Sequence, residues 1–201
     1  MNLPLFAGIF VAVFLLSLGG TRLALGYLKQ RAILDHPNER SSHTIPTPRG
    51  GGLAVSAVLI AAWAVLALTG FGNLPQILIL CVVASGLAVL SWRDDLRPLP
   101  ASLRLVGQVV AVSAALLSAP NEAAYFGGFL PPILDTIAAG VLWIWFLNLF
   151  NFMDGIDGIT ATETIAVCVG VMLITAGATS GLFPYALVTT AAALGVLWWN
   201  W

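Results

Sequence analysis

The apolar residues of this chain come in seven long windows, 3–27, 53–71, 74–92, 103–119, 133–150, 159–178 and 183–201, and the polar residues collect between them. Crossing a hydrocarbon core of about 30 Å takes about 20 mainly apolar residues, so each window has the length of a membrane span. Backbone N–H and C=O groups in lipid must be satisfied within the spanning structure, which leaves helices or a closed barrel. The windows are continuous apolar runs without the in–out alternation of barrel strands. The pattern therefore predicts an all-α fold, a polytopic transmembrane helical bundle with about seven spans, as a single transmembrane domain over residues 1–201.

Composition agrees. Hydrophobic residues make up 59% of the chain and charged residues 8%, against roughly 25% charged in soluble domains. Charge then orients the bundle. No cation precedes the first window, whereas Arg22, Lys29 and Arg31 lie at or beyond its end, which argues against a cleavable signal peptide. The N-terminus is expected on the periplasmic side, with 28–52, 93–102 and 151–158 facing the cytoplasm. All eight Lys and Arg residues (Arg22, Lys29, Arg31, Arg40, Arg49, Arg93, Arg97, Arg104) lie in or beside the first two of those connections, as the positive-inside rule requires. A nucleic-acid partner is not expected, because the net charge is −1 and there is no basic stripe. Cys81 and Cys168 read as packing residues within spans. Trp92, Trp198, Trp199 and Trp201 read as interfacial anchors.

Three polar islands fill the expected cytoplasmic connections. The first runs from Asp35 to Gly52. Pro37, Pro46 and Pro48 forbid a continuous helix there, and the three consecutive glycines let backbone amides turn and approach a ligand closely. Such a loop can offer N–H groups and arginines to phosphates, although a plain solvated basic loop has the same composition. The second island, Trp92 to Pro100, sets Asp94 beside Asp95 at the mouth of the bundle. Ionisable groups near a bilayer are rare unless they bind an ion, a substrate or each other. A divalent cation or a phosphate-handling role resolves the repulsion of the pair; the plainer alternative is that they cap the next helix and offset Arg93 and Arg97.

The third island, Asn148 to Gly158, repeats a polar residue at every third position. On a helix, i and i+3 are neighbours, so Asn151 with Asp154, and Asp154 with Asp157, can converge on one cation. Oxygen ligands suit Mg²⁺, which keeps several waters and shares its sphere with substrate phosphates. A polar helix end satisfied by water is the alternative. Glu122 and Asp135, on the opposite side, read as surface or helix-start residues.

Taken in order, Asp35-x-Pro-x-x-Arg40-x-x-His43 with Pro46-Thr-Pro-Arg-Gly-Gly, then Asp94-Asp95, then Asn148-x-x-Asn151-x-x-Asp154-Gly-x-Asp157-Gly, the islands resemble the polyprenyl-phosphate N-acetylhexosamine-1-phosphate transferase family. The resemblance covers essentially the whole chain. It implies transfer of a sugar-1-phosphate from a UDP-N-acetylhexosamine to undecaprenyl phosphate, with Mg²⁺ or Mn²⁺ and release of UMP, at the cytoplasmic face of a bacterial inner membrane. The first island is closer to the members that initiate O-antigen synthesis than to the peptidoglycan branch. By the same resemblance, Asp94 and Asp95 are catalytic, either activating the lipid phosphate or placing the cation and the donor pyrophosphate. Asn151 and Asp154 approach the metal, Gly155 and Asp157 lie beside the uridine, and His43, Arg40 and Arg49 face the nucleotide or its phosphates. A homodimer is compatible with it.

Family members continue beyond the point corresponding to Asn200-Trp201, through further spans, another magnesium-binding aspartate and a loop rich in His and Arg that grips the donor. The chain is accordingly expected to be the N-terminal portion of a transferase, or a truncated product with little or no activity. Two other readings weigh less. A membrane prenyltransferase accounts for Asn151-x-x-Asp154-x-x-Asp157 but gives no reason for the Pro-Arg-Gly-Gly-Gly loop. A transporter is expected to hold acids near the midplane of an inverted repeat, whereas these acids sit at span ends.

Overall fold

In a computed structural model the described residues are 3–31, 34–35, 47–48, 50–120, 124–154, 156–176 and 181–200. Seven helices follow one another among them: α1 (Leu3–Gln30), α2 (Gly52–Leu68), α3 (Leu74–Leu96), α4 (Ala101–Leu117), α5 (Pro132–Met153), α6 (Ile159–Thr175) and α7 (Leu182–Leu197). Each coincides with one apolar window. Helices α1, α3 and α5, of 28, 23 and 22 residues, are long and apolar enough to cross a membrane, and the other four are shorter apolar helices.

Local chemistry sets the boundaries. α3 runs past its apolar window to Leu96 and stops where Arg97 precedes Pro98, because the residue before a proline is pushed out of the helical region. α5 starts on Pro132, whose fixed φ and missing N–H suit a first helical position. Gly50, at φ +88°, turns the chain into α2. The only strands among the described residues are β1 (Leu34–Asp35) and β2 (Thr47–Pro48), antiparallel with Leu34 opposite Pro48 and Asp35 opposite Thr47. They draw together the two ends of the first polar island.

The chain divides into two compact units, Met1–Leu74 with Met153–Trp201, and Pro75–Phe152. In the first, α7 is the central helix: Val188, Ala191 and Ala192 are wholly buried. It runs parallel to α1. At one end the Phe6 ring meets Phe183 edge-on with centroids 5.9 Å apart; midway the Ser17 hydroxyl donates to the Ala192 carbonyl at 2.7 Å; at the other end Trp199 donates its ring N–H to the Leu18 carbonyl at 2.9 Å, with the Arg22 guanidinium 5.9 Å from the Trp199 ring centroid. Trp199 thus ties two helices together, a more specific role than an interfacial anchor. α2 runs antiparallel to both, and its C-terminal end is held where Tyr185 donates to the Phe71 carbonyl at 2.6 Å. Parallel α1 and α7, with α2 reversed, is the relation that spans one, seven and two must have in a chain that crosses at every helix.

Small residues make this packing close. A Cβ placed on Gly195 would lie 2.7 Å from the Ser17 Cβ, 2.8 Å from the Leu18 nitrogen and 2.9 Å from the Phe14 carbonyl oxygen. Two of those atoms are backbone and cannot step aside. In lipid there is little hydrophobic drive between helices, so close packing of this kind carries the association.

The second unit is an up-and-down run of α3, α4 and α5. Gly107 on α4 accommodates Leu90 of α3, and Gly140 on α5 accommodates Leu116 of α4. Asp135 is 3% exposed, which departs from the surface half of its sequence reading. From the first turn of α5 its carboxylate accepts the N–H of Tyr125 at 2.8 Å and of Phe126 at 3.0 Å. A buried carboxylate needs such donors, and here it fixes the preceding connection.

Replacing Gly195 with alanine is expected to destabilise the first unit by about 1–3 kcal/mol, the usual cost of forcing a group into a packed interface. Thermal unfolding in detergent measures it, with Gly8→Ala as the control that stays near wild type, because nothing lies within 4 Å of a Cβ at Gly8.

Candidate active site

Asp94 and Asp95 occupy the last turn of α3. As neighbours on a helix they point about 100° apart. Asp94 faces the connection to α4: one carboxylate oxygen accepts the Leu99 N–H at 2.7 Å and the other accepts from Nη1 of Arg104 at 3.1 Å. Its cationic partner is thus Arg104, one turn into α4, where the sequence had suggested Arg93 or Arg97. A partly exposed ion pair is worth roughly 0–1 kcal/mol, so its main effect is positional: the carboxylate closes the α3–α4 hairpin and keeps the guanidinium at the helix ends. Asp95 is half-buried.

Asn148 and Asn151 lie in the last turns of α5. Asn148 and Gln108 of α4 form a reciprocal amide pair, with Nδ2 of Asn148 donating to Oε1 of Gln108 at 2.7 Å and Nε2 of Gln108 donating to Oδ1 of Asn148 at 3.3 Å. A two-way amide pair fixes the register of two apolar helices, which apolar contacts alone leave free to slide.

Past Met153 the helix is broken. Backbone turns run from the Ile156 N–H to the Met153 carbonyl and from the Ile159 N–H to the Ile156 carbonyl. Gly158, at φ +71°, then starts α6 with no side-chain cap. The helical spacing expected for Asp154 and Asp157 is therefore not realised: α5 ends at Met153, before either acid, and both sit exposed in the turn between two helices. Asp154 is held there by α6. The Thr160 hydroxyl donates to its Oδ1 at 2.6 Å.

Arg40, His43, Arg49 and Gly155 lie outside the described residues. Among the described residues no group of three or more His, Cys, Asp and Glu side chains comes together to hold a metal by itself. The donors of the third island are all oxygens, an amide and carboxylates. Such a set fits a hard cation that takes part of its coordination from substrate phosphates and water.

Four side chains gain significance here that their sequence context had not suggested. Arg104, Gln108 and Thr160 each bond a residue of the polar islands. Glu163 stands exposed on α6 one turn beyond Thr160, an ionisable group inside an apolar helix of the kind that marks function. The i, i+4 spacing of Arg104 and Gln108 on one face of α4 was legible beforehand. The Thr160 to Asp154 bond was not, since it crosses a turn of unforeseen shape.

A bundle of apolar helices with acids, amides and arginines gathered at helix ends defines a polytopic membrane protein whose polar chemistry lies at those ends. The chain belongs to glycosyl transferase family 4, whose sequence profile matches residues 77–201. It is similar to the decaprenyl-phosphate N-acetylglucosaminephosphotransferase of Mycolicibacterium smegmatis, at 31% identity over 74% of this chain and 42% of that protein. A probable undecaprenyl-phosphate N-acetylglucosaminyl 1-phosphate transferase of Bacillus subtilis is 29% identical over 94% of this chain and 55% of that protein. A phospho-N-acetylmuramoyl-pentapeptide-transferase of Deinococcus radiodurans is 30% identical over 77% of this chain and 53% of that protein. The chain thus spans about half the length of these relatives.

If Asp94 closes the α3–α4 hairpin, Asp94→Ala will speed hydrogen exchange at the Leu99 amide by roughly tenfold or more, the equivalent of a hydrogen bond to a charged group. Asp95→Ala will leave that amide unchanged. Exchange measured by mass spectrometry across 97–100 checks both.

Proposed function

We propose that the full gene product transfers N-acetylhexosamine-1-phosphate from a UDP-sugar to undecaprenyl phosphate and releases UMP, initiating O-antigen or another cell-envelope polysaccharide. The observation that carries the reading is the family membership of a chain whose polar islands carry the acids, amides and arginines that such a transfer needs. The relatives named above act, by their names, on decaprenyl or undecaprenyl phosphate or transfer a phospho-N-acetylmuramoyl group.

In the proposed reaction an oxygen of the lipid phosphate attacks the β-phosphorus of the UDP-sugar. The new P–O bond forms as the bond from the β-phosphorus to the bridging oxygen breaks, and UMP leaves with that oxygen and the bonding electrons. Several negative charges meet in this transition state, and catalysis consists largely of neutralising and aligning them. Mg²⁺, when bound, supplies charge neutralisation at the pyrophosphate. Asn151 and Asp154 are the residues proposed to hold it. Asp95 and Asp94 are assigned to the lipid phosphate or to placement of the pyrophosphate, Asp157 and Gly155 to the uridine, and Arg40, His43 and Arg49 to the nucleotide phosphates. An acceptor with a buried tail and a headgroup at the membrane surface requires a site at helix ends, where these residues occur. The positive-inside distribution of arginines supports a cytoplasmic active face at a bacterial inner membrane.

Membranes containing the full gene product should form lipid-linked sugar phosphate in a UDP-N-acetylhexosamine-dependent and Mg²⁺-dependent manner. Asp94→Asn and Asp95→Asn should each lower the rate at least about a hundredfold, the scale of losing a positioned acid–base or charge-stabilising group. Unchanged activity in both variants would sink the site assignment.

A further inference from the structure

We infer that Thr160 is a positioning residue: its hydroxyl fixes the Asp154 carboxylate and thereby sets how tightly the protein holds a divalent cation. The inference rests on the transferase reading above. It begins with what five other helix hydroxyls do. Ser85, Thr136, Thr164, Thr175 and Thr190 each donate to the backbone carbonyl four residues earlier on their own helices, the ordinary use of such a hydroxyl. The same bond from Thr160 would go to Ile156, where the chain is still in the turn. Instead its single proton goes to Oδ1 of Asp154 at 2.6 Å, a short bond of the charge-assisted kind.

Asp154 needs this support. It stands exposed in the turn that follows α5, directly after Met153 at the helix end. Thr160 is its only partner among the described residues. Thr160 itself is well placed: it lies in the first turn of α6, half-buried, and its own carbonyl accepts the Thr164 hydroxyl at 2.7 Å. One oxygen of the carboxylate is thus tied to a helix, while no described residue bonds Oδ2. Mg²⁺ tolerates little departure from octahedral geometry. A carboxylate already held in one orientation loses less freedom on binding it, which is why partners of metal ligands commonly change metal affinity by 10–100-fold.

The test compares wild type, Thr160→Val, Thr160→Ala and Thr160→Ser of the full gene product in detergent. Mn²⁺ binding is followed by electron paramagnetic resonance. The Mg²⁺ concentration for half-maximal activity, the KM for the UDP-sugar at saturating Mg²⁺ and the thermal unfolding temperature are measured alongside. Expected for Val and Ala are about tenfold weaker Mn²⁺ binding and a matching rise in the half-activating Mg²⁺ concentration. KM and unfolding temperature should hold, and serine should restore wild-type values. Mn²⁺ binding unchanged in the folded valine or alanine variant overturns the inference. So does a serine variant as weak as valine, which would make the methyl group the important part. A wild type that neither binds Mn²⁺ nor turns over defeats the transferase reading itself, whereas a wild type that does both beside unaffected hydroxyl-free variants defeats only the role of Thr160.

Discussion

The close approach of α7 to α1 at Gly195 and Ser17 is the contact on which the first unit depends. At that point the missing Cβ of one helix lets it lie against the backbone of the other, and the Ser17 hydroxyl bonds the Ala192 carbonyl within the same contact. Around it Val188, Ala191 and Ala192 of α7 are wholly buried, as is Ser17 itself. Helices surrounded by lipid gain little by hiding apolar surface from one another, so shape and a few polar bonds must hold them. Phe6 at one end and Trp199 at the other extend the same seam. α1 and α7 are thereby parallel, which also fixes which of their ends lie together.

A second constraint decides where chemistry can reside. Charged and amide groups are costly within an apolar helix, so they collect at helix ends, and in this protein three of them are held by partners close at hand. Asp94 is held by Arg104 and the Leu99 amide, Asn148 by Gln108, and Asp154 by Thr160. Each partner sits on a neighbouring helix or the connection leading to it. Rigid helices thus orient groups that stand at or beyond their ends.

Much of this was legible from residue order. The apolar windows located all seven helices to within a few residues, because the length needed to cross lipid and the scarcity of charge leave few alternatives. Less visible were contacts set by the third dimension. The Ser17–Ala192 bond joins residues far apart in the chain, and no periodicity signals it. α3 outran its window because loss of apolar character at Arg93 does not itself end a helix, and the first residue that forbids one is Pro98. The spacing of Asp154 and Asp157 suggested one helical face, yet α5 ends at Met153, before either acid, and the next helix starts only after left-handed Gly158. Asp135 read as a surface or helix-start residue; it is at a helix start but buried, because the connection that covers it is held by its own hydrogen bonds.

The central claim is that a sugar and its phosphate move together to a lipid phosphate. Supplying a UDP-N-acetylhexosamine labelled in its β-phosphate, with undecaprenyl phosphate and the full gene product, tests it most directly. The label should pass into the lipid fraction while unlabelled UMP accumulates in the water. Label leaving as UDP, with only the sugar reaching the lipid, would contradict the account.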